Sequence, residues 1–354
     1  MFLVDSPFTK RLLLNRNLYS QLGLGLVVSL YSLSVSAAPS IDAIEGSLLP
    51  GSSVKITGSG FSSELRKIDL KDESDSYSLL TLGKTLSVAG TDNLWVTEGS
   101  PWAKPLLPVP VDDESRGGFV YQGQGKAYNQ YIGPLKDADT KTLYVSWLYK
   151  PSESPGHSQG SNKFIRVWDD HSGEGTRISW TGMHMIYSDV TGETRPTWGG
   201  WSGKVGEWNR MEIWVDGVGG EIIASINGVA VHNVDDFVKV PNGIGLNIKL
   251  LGFDPSVATP YANMITQIDD LYVSTTRARV LLSDEPAWAD AKITGDTLIP
   301  SSWTDSEVTL KLSTGERALI EKKYLYVVDK DGVANSEGYE LCGSCPKPPQ
   351  LTAN

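Results

Sequence analysis

The sequence predicts an all-β protein, and three observations carry that prediction. Polar and apolar residues alternate with a period of two over many short segments, whereas almost no segment has the spacing of an amphipathic helix. Glycine and proline separate these segments, with 36 glycines and 19 prolines among 354 residues. Short strands at such spacing, divided by turn residues, indicate a β-sandwich or a jelly roll.

The predicted strands follow one another through the middle of the chain. They cover residues 54–57, 142–149, 162–168, 178–187, 210–216, 221–226, 229–232, 244–251 and 265–274. Asn227-Gly228 separates two of them, and this dipeptide favours the positive φ angles of a type I′ turn. We therefore expect a tight hairpin at this position.

Composition and charge exclude several classes of function. The chain has a formal charge of -11 and an isoelectric point of about 4.9. Binding to nucleic acid requires a basic surface, and so does attraction to anionic membranes, so neither partner is expected. With 40% hydrophobic and 21% charged residues, the chain has the balance of a folded globular protein.

The N-terminus has the pattern of a secretory signal peptide. Basic residues at positions 10, 11 and 16 precede an apolar run over residues 22–35, and small residues follow at positions 36–38. This run is short for a membrane span, which needs about 20 apolar residues. We therefore expect residues 1–37 to be removed and the protein to be secreted or periplasmic, without an integral membrane segment. An uncleaved anchor is the alternative.

The two flanks of the chain have strand patterns of their own. A proline-led strand at residues 39–44 is followed by GSGFS at residues 58–62. Near the other end, a strand entered through a tryptophan covers residues 302–310, and YLYVVD covers residues 324–329. These stretches resemble the opening and closing strands of an IPT/TIG domain, which has an immunoglobulin-like fold.

This resemblance implies one immunoglobulin-like domain that is split by an insertion. Residues 39–85 would begin the domain and residues 284–345 would complete it, because insertion at a loop is tolerated where domain termini lie close together. The alternative is that the two flanks form two separate small caps on the middle region and not one split domain. The last residues, 346–354, contain three prolines and are predicted to be disordered.

The region between the flanks, residues 90–280, has three signatures in order. They are WNRME at residues 208–212, SINGV at residues 225–229 and QIDDLYV at residues 267–273. This order resembles the concanavalin/LamG-like jelly roll, whose members include lectins, carbohydrate-binding modules, glycoside hydrolases and polysaccharide lyases. The predicted fold class is thus all-β, a jelly-roll β-sandwich inserted in or flanked by an Ig-like β-sandwich. Fold alone does not choose among these activities.

Tryptophans are concentrated in this middle region, with seven of them between residues 147 and 214. Flat aromatic rings present apolar surface to sugar rings, whereas a tryptophan on an apolar strand is typical of a core. Two tryptophans lie in a glycine-rich loop, where binding residues are frequent. The predicted carbohydrate-binding residues are Trp168, Trp198, Trp201 and Asn247. The expected partner is an extracellular polysaccharide.

Enzymatic cleavage is an alternative, and if the protein is an enzyme we expect a polysaccharide lyase. A lyase needs a cation beside the uronate carboxylate and a base for the C5 proton. The candidate catalytic residues are Arg166, His184, Tyr187 and Lys249. The Arg-x-Glu-x-Arg and Gln-x-His patterns of jelly-roll alginate lyases are absent. His184 and Tyr187 are three positions apart, which places them on opposite faces of an ideal strand.

Calcium and a disulfide complete the sequence-based predictions. Concanavalin-like domains often hold a structural Ca²⁺ through an aspartate on the closing strand, so the resemblance implies a site at Asp269 or Asp270, with a hydrogen-bond network there as the alternative. Cys342 and Cys345, the only cysteines, are predicted to form a local disulfide in an exported chain.

The sequence therefore favours an exported polysaccharide-binding protein. A polysaccharide lyase and a non-catalytic surface adhesion protein are the alternatives. The glycan and the oligomeric state do not follow from the sequence.

Overall fold

The structure is a computed structural model. It describes residues 37–47, 49, 51–62, 69–71, 95–96, 109–116, 118–124, 131–132, 140–156, 162–169, 175–188, 194–240, 245–251, 261, 263–298, 300–312 and 324–341. Residues 1–36 of the predicted signal peptide, both cysteines of the predicted disulfide, Cys342 and Cys345, and the predicted tail at residues 346–354 lie outside these ranges. No helix within the ranges is long and apolar enough to cross a membrane.

Strands make up almost all of the described secondary structure, which confirms the predicted all-β fold. In chain order they are β1 (Ser40–Gly46), β2 (Ser53–Ser59), β3 (Asp69–Lys71), β4 (Trp95–Val96), β5 (Val109–Asp113), β6 (Gly118–Gln124), β7 (Tyr131–Ile132), β8 (Thr142–Pro151), β9 (Lys163–Trp168), β10 (Arg177–Thr181), β11 (His184–Ser188), β12 (Thr194–Trp198), β13 (Asn209–Asp216), β14 (Glu221–Ile226), β15 (Val229–Val234), β16 (Asn247–Leu251), β17 (Ile265–Ser274), β18 (Arg279–Ser283), β19 (Asp296–Leu298), β20 (Pro300–Trp303), β21 (Glu307–Lys311), β22 (Tyr324–Val328) and β23 (Tyr339–Glu340). The α-helix α1 (Trp288–Thr294) lies between β18 and β19.

Two larger sheets form the first sandwich. The seven-stranded sheet has the order β12-β11-β10-β9-β16-β7-β4. The eight-stranded sheet has the order β15-β14-β13-β8-β17-β6-β5, with β3 paired to β17. Aromatic rings meet edge to face in the core between them, where the ring centre of Trp180 lies 6.1 Å from that of Trp147 and 5.3 Å from that of Phe164. This is a preferred geometry for aromatic pairs and adds to the burial of the rings.

The period-two pattern sets the direction of the side chains in this sandwich. Met211, Ile213 and Val215 of β13 are buried in the core. Glu212 and Trp214 lie between them in sequence and therefore face the other side of the eight-stranded sheet.

A tight hairpin joins β14 to β15, as the sequence predicts. Asn227 and Gly228 have φ angles of 52° and 71°, and Ile226 pairs with Val229 across the turn. A type I′ turn needs positive φ at both central residues, which asparagine and glycine tolerate best.

The two chain ends contribute strands to a second, smaller sandwich. Its sheets have the orders β1-β2-β21-β20 and β19-β18-β22-β23. Val54 and Ile56 of β2 pair with Leu310 and Val308 of β21, and all four side chains are buried. The early strands therefore share a sheet and a core with the late strands. The domain boundaries at residues 39–85, 90–280 and 284–345 stay predictions, and β3 pairs with the larger sandwich.

The GSGFS stretch closes the smaller core. The Phe61 ring packs against Trp303 at 6.4 Å between ring centres, and the Trp303 indole N–H donates to the carbonyl oxygen of Phe61 at 3.0 Å. A Cβ on Gly58 would collide with the backbone carbonyl oxygen of Ser40 on β1. Gly58 thus lets β1 approach β2 at the point where the chain turns toward Phe61.

We expect Gly58→Ala to destabilise the smaller sandwich by about 1–3 kcal/mol, the usual cost of forcing extra atoms into packed structure. Gly200→Ala is the control, because a Cβ on Gly200 would meet no atom within 4 Å. Thermal unfolding followed by circular dichroism measures both. Equal midpoints for the two variants would contradict the role of Gly58.

Buried ion pairs join the two sandwiches. Arg210 on β13 donates to Asp270 on β17 at 2.8 Å, with both side chains almost fully buried. The same guanidinium donates to the Gly295 carbonyl oxygen at 2.6 Å, next to β19 of the smaller sandwich. Thr297 on β19 donates its hydroxyl to Asp270 at 2.9 Å. One carboxylate and one guanidinium therefore connect strands of both sandwiches.

A second arginine continues this network. Arg116 binds Asp269 on β17 at 2.5 Å and also contacts Asp296 on β19. Burial alone would disfavour its charge, but the carboxylates of Asp296 and Asp269 outweigh burial and raise the pKa of Arg116. Asp270 has a φ of 48°, and the pairing of β17 with β8 shifts register between Asp269 and Tyr272. The bulge directs two successive carboxylates to two arginines.

Arg210→Met should lower the free energy of unfolding by about 3–5 kcal/mol, because it leaves Asp270 buried without its cation. The exposed pair of Lys204 and Glu207 provides the control, and Lys204→Met should cost no more than about 1 kcal/mol. Chemical denaturation gives both values. If Arg210→Met lost as little unfolding free energy as the control, the Arg210–Asp270 ion pair would not stabilise the contact between the two sandwiches.

Candidate functional site

The seven-stranded sheet has one face in the core and one face turned away from it. Val167, Ile178 and Tyr187 lie in register across β9, β10 and β11, and all three are buried in the core. The residues that alternate with them point to the opposite side, because successive side chains of a strand alternate. We define this side as the outer face, represented by Arg166, Ser179, His184, Ile186 and Trp198.

Trp198 is the most open aromatic residue of the outer face. It ends the edge strand β12 and pairs with His184 on β11. Its ring centre lies 5.2 Å from that of the imidazole at an interplanar angle of 44°, while 72% of the residue stays exposed. Trp198 therefore forms a supported aromatic platform, with His184 against one part of the ring and solvent over the rest.

His184 is held by a local hydrogen-bonded turn. Its backbone N–H donates to the Thr181 hydroxyl at 3.0 Å, and that hydroxyl donates to the His184 carbonyl oxygen at 2.9 Å. Burial, followed by the charge of Lys163, lowers the pKa of His184. The imidazole is therefore neutral at pH 7, which suits contact with an aromatic face and with sugar hydroxyls.

Arg166 lies on the same outer face as His184 but two strands away. From a strand spacing of about 4.8 Å and a rise of about 3.3 Å per residue, their Cα atoms are separated by roughly 12 Å. The Arg166 guanidinium lies 5.8 Å from the ring centre of Trp168, and that of Arg177 lies 4.8 Å from it. The two arginines are thus fixed around one indole ring.

Trp168 and Asn247, two predicted carbohydrate contacts, pair with each other across β9 and β16. Only 8% of Trp168 is exposed, and Asn247 is fully buried with its amide donating to the Gly245 carbonyl oxygen at 2.7 Å. The structure therefore places both residues beneath the surface. Their role in binding stays a prediction.

Trp201 differs from Trp198 although only two glycines separate them in the sequence. Its ring centre is 5.8 Å from that of Tyr149 and 5.6 Å from that of Phe164, so it packs at the rim of the core. Trp201 is half-buried and Trp198 is exposed. Of the predicted carbohydrate-binding residues, Trp198 presents the broad surface.

The structure does not bring the four candidate catalytic residues together. Tyr187 is buried on the core side of β11, opposite His184, with its hydroxyl donating to Asp236 at 3.3 Å. The backbone of Lys249 lies in β16, whereas its side chain is outside the described part of the chain. The lyase assignment of Arg166, His184, Tyr187 and Lys249 stays a prediction.

Asp269 and Asp270, the predicted calcium ligands, are engaged with Arg116 and Arg210. Calcium takes 6–8 oxygen ligands, and no group of three or more acidic, histidine or cysteine side chains in the described ranges is placed to hold a metal. These residues fit the ion-pair network rather than a calcium site. Calcium binding stays a prediction.

His232 supports β12, the strand that ends in Trp198. The sequence pattern does not single out this histidine. It lies on β15 with 2% of its surface exposed, and its Nδ1 forms a 2.8 Å hydrogen bond with the hydroxyl of Thr197, the residue before Trp198. Burial, followed by the charge of His184, lowers the pKa of His232 to about 4. A neutral imidazole thus closes the edge between β12 and β15.

Comparisons with known proteins find no match to a family or to a curated protein. Among solved structures, the chain is similar to the botulinum neurotoxin serotype D binding domain, with 13% identity, a TM-score of 0.36 and coverage of 63% of this chain and 53% of that chain. The binding domain of Paraclostridial Mosquitocidal Protein 1 gives 12% identity, a TM-score of 0.37, and coverage of 75% and 64%.

A third similar structure is domain 4 of AbnA, a GH43 extracellular arabinanase from Geobacillus stearothermophilus, in complex with arabinotriose. Its identity is 18% and its TM-score 0.32, with coverage of 48% of this chain and 75% of that chain. The chain spans about half of the botulinum domain and less than two thirds of the mosquitocidal domain. Likenesses of this extent carry no argument about what this chain binds.

The buried His232 makes stability depend on pH. Its pKa is about 4 in the folded chain against 6.5 in the unfolded chain, so the unfolded state binds the proton more readily and acid favours unfolding. This contribution is complete above pH 6.5 and is lost as the pH falls toward 4. At pH 5 we expect the loss from this group to be about 2 kcal/mol.

Urea unfolding at pH 7.5 and pH 5 measures this loss. His232→Asn serves as the comparison, because the asparagine amide can still bond Thr197 but does not titrate. The wild-type protein should lose about 2 kcal/mol more than the variant between the two pH values. Parallel losses would exclude His232 as the titrating group.

Proposed function

We propose that this protein binds a polysaccharide outside the cytoplasm through the outer face of its seven-stranded sheet. The observation that carries the proposal is Trp198, a large aromatic side chain that is 72% exposed and held against His184. Exposing such a ring in a fixed position leaves apolar area in water, which a bound sugar ring would cover.

The surroundings of Trp198 support a sugar ligand. Ser179 and the neutral imidazole of His184 offer hydrogen-bonding groups on the same face, and Arg166 offers a fixed guanidinium. Sugar sites combine an apolar surface with a few oriented polar groups, and the outer face provides both. Export through the predicted signal peptide would bring the protein to extracellular polysaccharide.

Binding has more support than cleavage on this face. A lyase needs its cation and base around one sugar residue. Arg166 and His184 are roughly 12 Å apart at their Cα atoms by strand geometry, and Tyr187 lies on the opposite side of the sheet. A non-catalytic adhesion role through the smaller sandwich is the remaining alternative.

Trp198→Ala should weaken binding by tenfold or more, equivalent to about 1.4 kcal/mol, because truncation removes the platform. Val218→Ala is the control, since Val218 is an apolar side chain of similar exposure, 74%, at a turn between β13 and β14. Affinity electrophoresis in alginate, polygalacturonate, xylan and β-glucan gels provides the measurement.

Retardation of the wild-type protein by one of these gels, lost in Trp198→Ala and kept in Val218→Ala, is the expected result. Equal retardation of all three proteins would contradict the proposed binding of sugar by Trp198. A rise in ultraviolet absorbance when the protein is mixed with a uronate polymer would instead indicate eliminative cleavage.

A further inference from the structure

A second candidate site lies far from the outer face, on the side of the eight-stranded sheet that points away from the large core. A half-open cavity of about 170 Å³ lies there between this sheet and the segment that follows it. The sheet contributes Tyr144, Glu212, Trp214, Ile223 and Ser225. The other wall consists of Arg277, Arg279, Trp288, Lys292 and Gly332, while Gly228 lies at the hairpin between β14 and β15.

The charges of this cavity do not cancel. Glu212 is the one carboxylate among its described lining residues, and it accepts hydrogen bonds from the Tyr144 hydroxyl at 2.5 Å and from Arg279 at 3.1 Å. Glu212 and Arg279 therefore neutralise each other. Arg277 and Lys292 have no carboxylate partner within the described residues. The cavity therefore has two positive charges in excess.

Arg277 is held in place but incompletely satisfied. Its guanidinium lies 5.3 Å from the ring centre of Trp214, and its Nε–H is buried without a hydrogen-bond partner in the described part of the chain. A Cβ on Gly332 would approach the Arg277 side chain to 3.2 Å, so the glycine leaves the space that this arginine occupies.

Lys292 provides the second cation from α1. Its ammonium group donates to the Gly228 carbonyl oxygen at 3.4 Å, a long hydrogen bond that leaves the other N–H donors of the group available. Arg277 reaches the cavity from the segment between β17 and β18, so the two cations come from separate elements. The two cations therefore lie around one cavity and are not spread over an exposed surface.

Aromatic rings line the same cavity. Trp214 comes from the sheet and Trp288 from α1, and the Trp288 ring is fixed at 5.4 Å from that of Tyr326. The volume of about 170 Å³ equals that of about five or six water molecules at ~30 Å³ each, so it suits a single sugar residue rather than a polymer chain. Cations beside indole rings favour a ligand that has both an anionic oxygen group and a ring that can pack against the indoles.

We propose that this cavity is a binding site for an acidic monosaccharide, with the carboxylate between Arg277 and Lys292 and the sugar ring against the indoles. A guanidinium recognises a carboxylate through two parallel N–H donors, and Arg277 lines the cavity without a carboxylate partner among the described residues. This site is independent of the platform at Trp198, and it stands even if the protein binds no polysaccharide there.

Calorimetric titration with D-galacturonate, with neutral methyl galactoside and with inorganic phosphate tests the proposal on the full chain. The wild-type protein should bind the acidic sugar at least tenfold more tightly than either of the other two probes. Arg277→Gln and Lys292→Gln should each weaken that binding at least tenfold. Lys292→Gln changes a half-buried side chain on a short helix, so it serves even if Arg277→Gln fails to fold.

A control variant shows whether the loss of binding is specific to this cavity. Arg195→Gln removes another arginine that lies over an aromatic ring, 4.8 Å from that of Tyr187, and should leave galacturonate binding unchanged.

Three results would overturn the proposal. They are no binding of galacturonate by the wild-type protein, equal binding of the neutral sugar, and unchanged affinity in both glutamine variants. Equal binding of phosphate would show a general anion site and would overturn the assignment to a sugar acid.

Discussion

The buried ion pair between Arg210 and Asp270 is the constraint on which the arrangement of this protein depends. Neither charge is stable in the interior alone, so the guanidinium must keep its contacts with Asp270 and with the Gly295 carbonyl oxygen. Those contacts lie on β17 and next to β19, in different sandwiches. Strand β17 therefore leaves the larger sandwich in a defined direction, and the smaller sandwich is built on the segment that follows.

The cavity is a consequence of that direction. Arg277 and Arg279 follow the bulge of β17 and reach Trp214 and Tyr144 on the face of the eight-stranded sheet that the large core leaves uncovered. The outer face of the seven-stranded sheet is formed differently. There the platform depends on the edge strand β12, which Thr197 and His232 join to β15. The two candidate sites thus rest on separate supports within one fold.

Local pattern was sufficient for much of the architecture. Alternation predicted the strand at residues 210–216, and Asn227-Gly228 predicted the hairpin. These features depend on residues that are neighbours in sequence, where side-chain period and backbone φ preference act directly. The same reasoning put His184 and Tyr187 on opposite faces of one strand, and the structure shows them so.

The sequence by itself determined the all-β class, the positions of many strands and the tryptophan-rich region. It did not distinguish Trp198 from Trp201, because both have glycine neighbours and tertiary contacts with Tyr149 and Phe164 bury Trp201 alone. It also did not place Glu212 beside Arg279, which are 67 positions apart in the chain. Such pairs exist only after distant strands meet, so tertiary packing decided which aromatic rings are open and which charges remain unpaired.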